Sequence, residues 1–215
     1  FRSCRKVSFS TRSPLANYGL DPTDPKRLQV RLEQLNIAIG DLPVPGRHNT
    51  HNLLAAITVA RHFDVSWDDI KRGITLLALP ERRLEFVRRK GVLFLNDSYN
   101  ASELSVKAAL ETLPEPSGGG RKIAVLGSML ELGKFSESSH QRVGEHALGY
   151  VEQMYCLGEE CASITRVWKN AGRPVYHFNT REELIVALRK QLKEDDVVLL
   201  KGSRSKEIWK VIEEI

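Results

Sequence analysis

The chain has 215 residues, of which 41% are hydrophobic and 27% charged, and its formal net charge is +5. That composition is ordinary for a globular protein with a real core, and the length admits one large domain or two small ones. Its basic residues are spread along the whole chain, which argues against nucleic acid as the main ligand, and no uninterrupted apolar run is long enough to span a membrane.

Residues 1–45 read as irregular. SCRKVSFST predicts a short strand, SPLANYGLDPTDP a loop, and the alternating RLQVRLEQLNIAI one or two extended strands. Pro45 and Gly46 mark a turn before a helix that Asn49 or Thr50 would cap, with Leu53, Leu54, Ile57, Val59 and Ala60 facing inward. Ser66 then caps a second helix, WDDIKRGITLLA, whose first turn carries Asp68 and Asp69 near the positive end of the helix dipole. Pro80 closes this part. PERRLEFVRRKG reads as a charged connector into a second domain.

From residue 92 the pattern becomes regular. VLFLN, KIAVLG, QMYCLG, PVYHF and DVVLLKG are apolar runs, each followed by a helical segment: SELSVKAALETL, SSHQRVGEHALGYV, EECASITRVWKNAG, TREELIVALRKQL and SRSKEIWKVIEEI. Continuous apolar strands are those covered on both faces, so five βα units predict a mostly parallel, doubly wound α/β sheet. Ligands of such sheets meet the carboxyl ends of the strands. Here those ends carry NDSYN, LGSMLELG, LGEE and KGSRS.

The three cysteines, Cys4, Cys156 and Cys161, have no CxxC spacing. Their odd number argues against a disulfide framework and for a reducing, cytoplasmic compartment, and their surroundings argue against zinc. At the first helix start, His48, Asn49, His51 and Asn52 cluster, with Asn49 and Asn52 on one face. An amide carries donors and an acceptor together, which suits a nucleobase edge, although plain capping explains the same residues. Arg82 and Arg83 are either a solvated charge run or guanidiniums that reach a phosphate. Asp97 ends a strand, either as an Asx turn or as a carboxylate for ribose hydroxyls or a cation. LGSMLELG contains neither a GxGxxG fingerprint nor a P-loop. KGSRS puts a lysine, small residues and an arginine at a strand-to-helix turn, where free N–H groups at a helix start could hold an anion.

Taken in order, PVPGRHNTHNLLAAI, RRLE, NDSYNAS, VLGSMLELG with a downstream SxxxHxxVG, and LLKGSRS resemble the Mur ligases of peptidoglycan synthesis over about residues 43–215. DSYNA and LGxMLELG are similar to the branch that joins D-alanyl-D-alanine to UDP-N-acetylmuramoyl-tripeptide. The resemblance implies that residues 1–79 are the end of a central ATP-binding α/β domain, and residues 80–215 a carboxyl-terminal Rossmann-like domain. It implies an ATP- and Mg2+-dependent ligase acting through an acyl phosphate, cytoplasmic and monomeric, with loose phosphoryl transfer stabilised by magnesium and cationic side chains. By position, His48, Asn49 and Asn52 match residues near the nucleotide, with Asn52 the match for adenine. Arg83 matches an arginine facing the phosphates, and Asp97 an aspartate approaching the nucleotide; both are the expected catalytic residues. Tyr99, Asn100, Glu131 and His140 match motifs on the side of the incoming amine.

Two positions depart from the branch. Ser102-Glu103 follow NDSYNA where Asn-Pro is usual, and Ser128 stands where aspartate is usual, which leaves that position without an assigned role. The P-loop, the bridging lysine and the magnesium ligands of the family have no match here, so the metal ligands are expected upstream. The chain is therefore expected to be a fragment that is inactive alone. The alternatives are a sister ligase of the Mur or folylpolyglutamate type with another amine, and a free-standing nucleotide-binding module.

Overall fold

The computed structural model describes residues 6–13, 15–20, 27–32, 35–41, 47–77 and 80–215. The chain divides into two compact units, Phe1–Ala78 and Leu79–Ile215.

In the first unit, β1 (Phe9–Ser10), β2 (Tyr18–Leu20), β3 (Arg27–Leu32) and β4 (Leu35–Asp41) form one sheet in that order. β1 and β2 run parallel, and β2, β3 and β4 are successively antiparallel. RLQVRL and LNIAI are thus two antiparallel strands. Two helices pack with it, α1 (Arg47–His62) and α2 (Trp67–Thr75). Val30, Ile39, Leu53, Leu54, Ile57, Ile70 and Ile74 form the core. α1 begins at Arg47, so Asn49 and Thr50 lie inside its first turn and are not its cap; the expected turn at Pro45 and Gly46 lies outside the described residues. Val59, expected inward, is exposed, and Thr58 is buried in its stead, because its hydroxyl donates to the Leu54 carbonyl at 2.8 Å and needs no water. The Ser66 cap forms as expected: its side chain accepts the Asp69 N–H at 3.1 Å.

The second unit opens with a difference from the sequence reading. The charged connector is an edge strand, β5 (Glu85–Arg89), antiparallel to β6 (Val92–Asn96). Four of its five residues are exposed, so it lacks the apolar run that marks an inner strand. The hairpin turns at Lys90 and Gly91, both at positive φ (48° and 79°), as a two-residue turn matching strand twist requires. Beyond it come α3 (Glu103–Thr112), β7 (Lys122–Gly127), α4 (Ser136–Ala147), β8 (Gln153–Leu157), α5 (Ala162–Asn170), β9 (Val175–Phe178), α6 (Arg181–Gln191), β10 (Val197–Lys201) and α7 (Lys210–Glu214). The sheet order is β5-β6-β10-β7-β8-β9, parallel except for β5.

Alternation along the inner strands feeds two cores. Ala124, Leu126, Val197 and Leu199 meet Val106 and Leu110 of α3, Val143 of α4, and Ile164 and Trp168 of α5. Ile123, Val125, Val198 and Leu200 meet Leu184 and Leu188 of α6 and Val211 of α7 on the opposite face. The sheet is doubly wound, as expected. β10, the last strand in sequence, inserts between β6 and β7, and its chain leaves toward α7 while theirs leave toward the other face. The carboxyl ends of β6, β10 and β7 therefore flank a topological switch point, where such sheets open a crevice.

Candidate functional site

The crevice is built from three strand ends. Ser102 shapes the first: its side chain accepts the Ser105 N–H while the Ser105 hydroxyl accepts the Ser102 N–H, a capping box that starts α3. This leaves Asp97–Ala101 as a short extended link over the strand ends. The Asp97 N–H donates to Leu200 O at 2.9 Å, continuing the ladder with β10. Its carboxylate accepts the Leu84 N–H at 3.2 Å and pairs with the Lys201 ammonium. Lys201 also donates to the Asn100 carbonyl at 3.1 Å and to Asp97 O at 3.3 Å.

Lys201 is 3% exposed and Asp97 13% at the side chain. Burial pushes the Lys201 amine below its ordinary range. Asp97 opposes that shift, and the positive charge of Arg83 adds to it. Arg83 is thus electrostatically coupled to Lys201 at one crevice.

The two neighbouring arginines diverge. Arg82, at φ 62°, lays its guanidinium over Trp209, 4.1 Å from the ring centroid. Arg83 lays its own over Tyr99 at 4.3 Å and is exposed. The link is fixed to this segment by Tyr99 N–H donating to Arg82 O at 3.1 Å. Arg204 also lies over Tyr99, at 5.6 Å. KGSRS does not start a helix: Arg204–Lys206 is a single 3-10 turn, Glu207 follows at φ 47°, and α7 begins only at Lys210. The expected anion site on helix N–H groups is corrected accordingly; the side chains of this turn carry the charge.

At the β7 end, Ser128 is fully buried. Its N–H donates to Leu157 O at 3.0 Å and its carbonyl accepts the Ser203 N–H at 3.2 Å, tying β7 to β8 and β10. Leu130 N–H donates to the Ser203 hydroxyl at 2.8 Å. Glu160 is held below the usual carboxyl range, first by a hydrogen bond from Ser128, with the charge of Lys206 adding.

His140 is also fully buried. Its Nε2 lies 2.9 Å from Met129 N, which can only donate, so the ring proton sits on Nδ1 and is given to Ser136 O at 2.8 Å. Burial lowers its pKa first of all causes. Both nitrogens are used inside the chain. His140, expected in a motif on the side of the incoming amine, fixes the loop after β7 with both ring nitrogens. Glu131, in that loop, is exposed at φ 64°, and Asn100 is exposed beside Tyr99.

His48, Asn49 and Asn52 lie in the first two turns of α1, in the first unit; Asn49 is half-buried and Asn52 exposed. The residues brought together are Arg83, Asp97, Tyr99 and Asn100. Lys201 and Arg204 join them, and the sequence reading marked their stretch without choosing them. Adjacency of β6 and β10 is the missing information, because the two strands are neighbours only in the folded sheet. Among the described residues, no cluster of three His, Cys, Asp or Glu side chains could hold a metal ion, and no helix is long and apolar enough to cross a membrane.

A doubly wound α/β domain with cationic side chains at its switch point defines the class: a Rossmann-like domain. The family model described as "Mur ligase, glutamate ligase domain" matches residues 82–204, and the chain belongs to the Mur ligase family. A UDP-N-acetylmuramoyl-tripeptide–D-alanyl-D-alanine ligase from Bacillus subtilis is 30% identical over 178 residues, covering 81% of this chain and 39% of the relative. The ligase of the same name from Escherichia coli is 35% identical over 175 residues, covering 80% of this chain and 37% of the relative. The chain thus spans well under half the length of the relatives it matches. A solved MurF from Acinetobacter baumannii shares the fold, with a TM-score of 0.79 at 24% identity over 97% of this chain and 46% of that one.

Proposed function

We propose that this chain is the carboxyl-terminal part of an ATP-dependent amide ligase of peptidoglycan precursor synthesis. The ligase joins D-alanyl-D-alanine to UDP-N-acetylmuramoyl-tripeptide, as a cytoplasmic monomer. One observation carries the reading. DSYNA places Tyr99 and Asp97 so that they hold Arg83 and Lys201 at the switch-point crevice, in a chain 30% and 35% identical to two ligases of that name.

Residues 1–79 are proposed as the end of the central ATP-binding domain, where the amides of Asn49 and Asn52 meet adenine and His48 stands beside them. Residues 80–215 are the carboxyl-terminal domain. Arg83 is exposed and free to turn its planar fork toward phosphate oxygens. Asp97 is committed to Lys201 and Leu84 N–H, so it acts by holding Arg83 and Lys201 in register rather than by binding ribose. Tyr99, Asn100 and Glu131 face the side of the incoming amine, and His140 fixes the loop that carries Glu131.

The cationic groups of this crevice fit the phosphate end of ATP, which supplies the phosphoryl group that activates the acceptor carboxylate. They do not fit Mg2+: the one carboxylate among them is paired with an ammonium. Magnesium ligands are therefore assigned to the rest of the enzyme, and no step is routed through the ion here.

The test is a substrate panel. The longer protein that contains this chain, given ATP, Mg2+ and UDP-N-acetylmuramoyl-tripeptide, releases phosphate with D-alanyl-D-alanine and not with L-alanine, D-glutamate or a diamino acid. Turnover with one of the other amines would assign the chain to a sister ligase. The 215-residue chain alone gives no turnover.

A further inference from the structure

Arg204 lies over Tyr99 and has no part in the roles proposed above. It is exposed, at the end of the strand that inserts between β6 and β7. Its guanidinium carbon is 5.6 Å from the Tyr99 ring centroid, and that of Arg83 is 4.3 Å from the same centroid. The two carbons are therefore within about 10 Å of each other, near a Debye length at 0.1 M salt, so their repulsion is only partly screened. Lys201 adds a third cation, bonded to the Asn100 carbonyl next to Tyr99, and the carboxylate there, Asp97, is already paired with it. Among the described residues, neither Arg83 nor Arg204 has a carboxylate within ion-pair distance. Some arginines of the unit are neutralised, Arg121 by Asp196, Arg142 by Glu103 and Arg181 by Glu207, and others such as Arg88 and Arg89 are not; what sets Arg83 and Arg204 apart is that both lie over the same ring. Two guanidiniums laid on one aromatic ring, with no carboxylate in ion-pair distance, form an uncompensated positive site.

We propose that Arg83 and Arg204, shelved on Tyr99, form a two-armed clamp for an oxyanion, either a carboxylate or a phosphoryl group. Tyr99 holds the planes of the guanidiniums by cation–π contact, which leaves their N–H edges for the ligand. The clamp rests on the ligase reading for the ligands offered to it: the carboxylate of the incoming dipeptide or the phosphates of the nucleotide. Arg204 is then a binding residue of the reaction, placed by β10 and unrelated in sequence to the DSYNA segment it completes.

The test uses the 215-residue chain, with arginine side-chain N–H resonances followed by NMR. The probes are inorganic pyrophosphate, N-acetyl-D-alanyl-D-alanine and the C-terminal amide of the same dipeptide. The expected result is that one of the anions shifts Arg83 and Arg204 together. Arg204→Gln then weakens that binding about tenfold, as loss of a charge-assisted fork should, and Arg204→Lys restores only part of it. Binding of the acetylated dipeptide but not its amide identifies a carboxylate; binding of pyrophosphate alone identifies a phosphoryl group. Absence of any shift, unchanged affinity in Arg204→Gln, or an equal loss from Lys190→Gln on α6 would overturn the clamp. These outcomes are independent of turnover: anion binding without ligase activity in the longer protein sinks the ligase reading alone, and the reverse sinks the clamp alone.

Discussion

Lys201 donates to the Asp97 carboxylate across 104 positions of sequence, and the two residues are neighbours only because β10 inserts beside β6. The ammonium is almost wholly buried, and its remaining acceptors are the Asp97 and Asn100 carbonyls. Taking away the carboxylate leaves a buried charge with only partial compensation, which costs more than the pair is worth intact. Asp97→Asn should therefore destabilise the second unit by about 3 kcal/mol. The double variant Asp97→Asn/Lys201→Met should lose less than the two single losses together. A double-mutant cycle from urea unfolding reads this directly. Additive losses would mean that the pair is not coupled.

Acid should loosen the loop after β7 through His140. The ring is buried as the neutral Nδ1–H tautomer, bonded to Met129 N–H and Ser136 O; Glu160, the charged group facing it, only partly offsets burial. A base whose folded pKa lies below its ordinary 6.5 takes up more protons when unfolded. Its stabilising contribution is then complete above 6.5 and declines as pH falls toward the folded value. Stability measured from pH 7.5 to pH 5 should fall, and His140→Gln should flatten that part of the slope while lowering stability throughout. An unchanged slope in the variant would assign the acid sensitivity elsewhere.

Gly158 should not tolerate a side chain. It sits at φ 101° and ψ 155°, a region essentially reserved for glycine. A Cβ there would stand 2.4 Å from Ser128 Oγ and 2.9 Å from Lys206 Nζ. Gly158→Ala should cost about 2 kcal/mol and disturb the Ser128 bond that holds Glu160 ionised. The expected signature is a lower urea midpoint at constant m-value, with the Glu160 carboxyl titrating at higher pH by NMR. A midpoint equal to wild type would contradict the geometry.

Much of this architecture is written locally. The apolar runs of β7, β8 and β10 are buried at nearly every residue, and Ser66 and Ser102 cap the helices they precede. β5 was hidden because EFVRR is an edge strand whose exposed charges imitate a linker. α7 was overextended because Glu207 turns into the left-handed region within an otherwise helical pattern. At the site, Arg83, Asp97 and Tyr99 are close in sequence and could be picked from motifs. Their partners Lys201 and Arg204 lie in KGSRS, a stretch the sequence marks, but which residues they meet is set by strand order, not spacing. The inward role of His140 was likewise illegible, since a histidine on a helix reads the same whether its nitrogens face a ligand or a neighbouring loop.

The central claim is that Arg83 meets the phosphates of a ligase reaction, and its most direct test is the turnover number of Arg83→Ala in the longer enzyme with ATP, UDP-N-acetylmuramoyl-tripeptide and D-alanyl-D-alanine saturating. The guanidinium is exposed and its cation–π contact is worth little to the fold, so the thermal midpoint should stay within a few degrees of wild type. Loss of a charge that stabilises the transferring phosphoryl group should lower kcat roughly a hundredfold or more. A variant that folds normally and turns over at the wild-type rate would contradict the account.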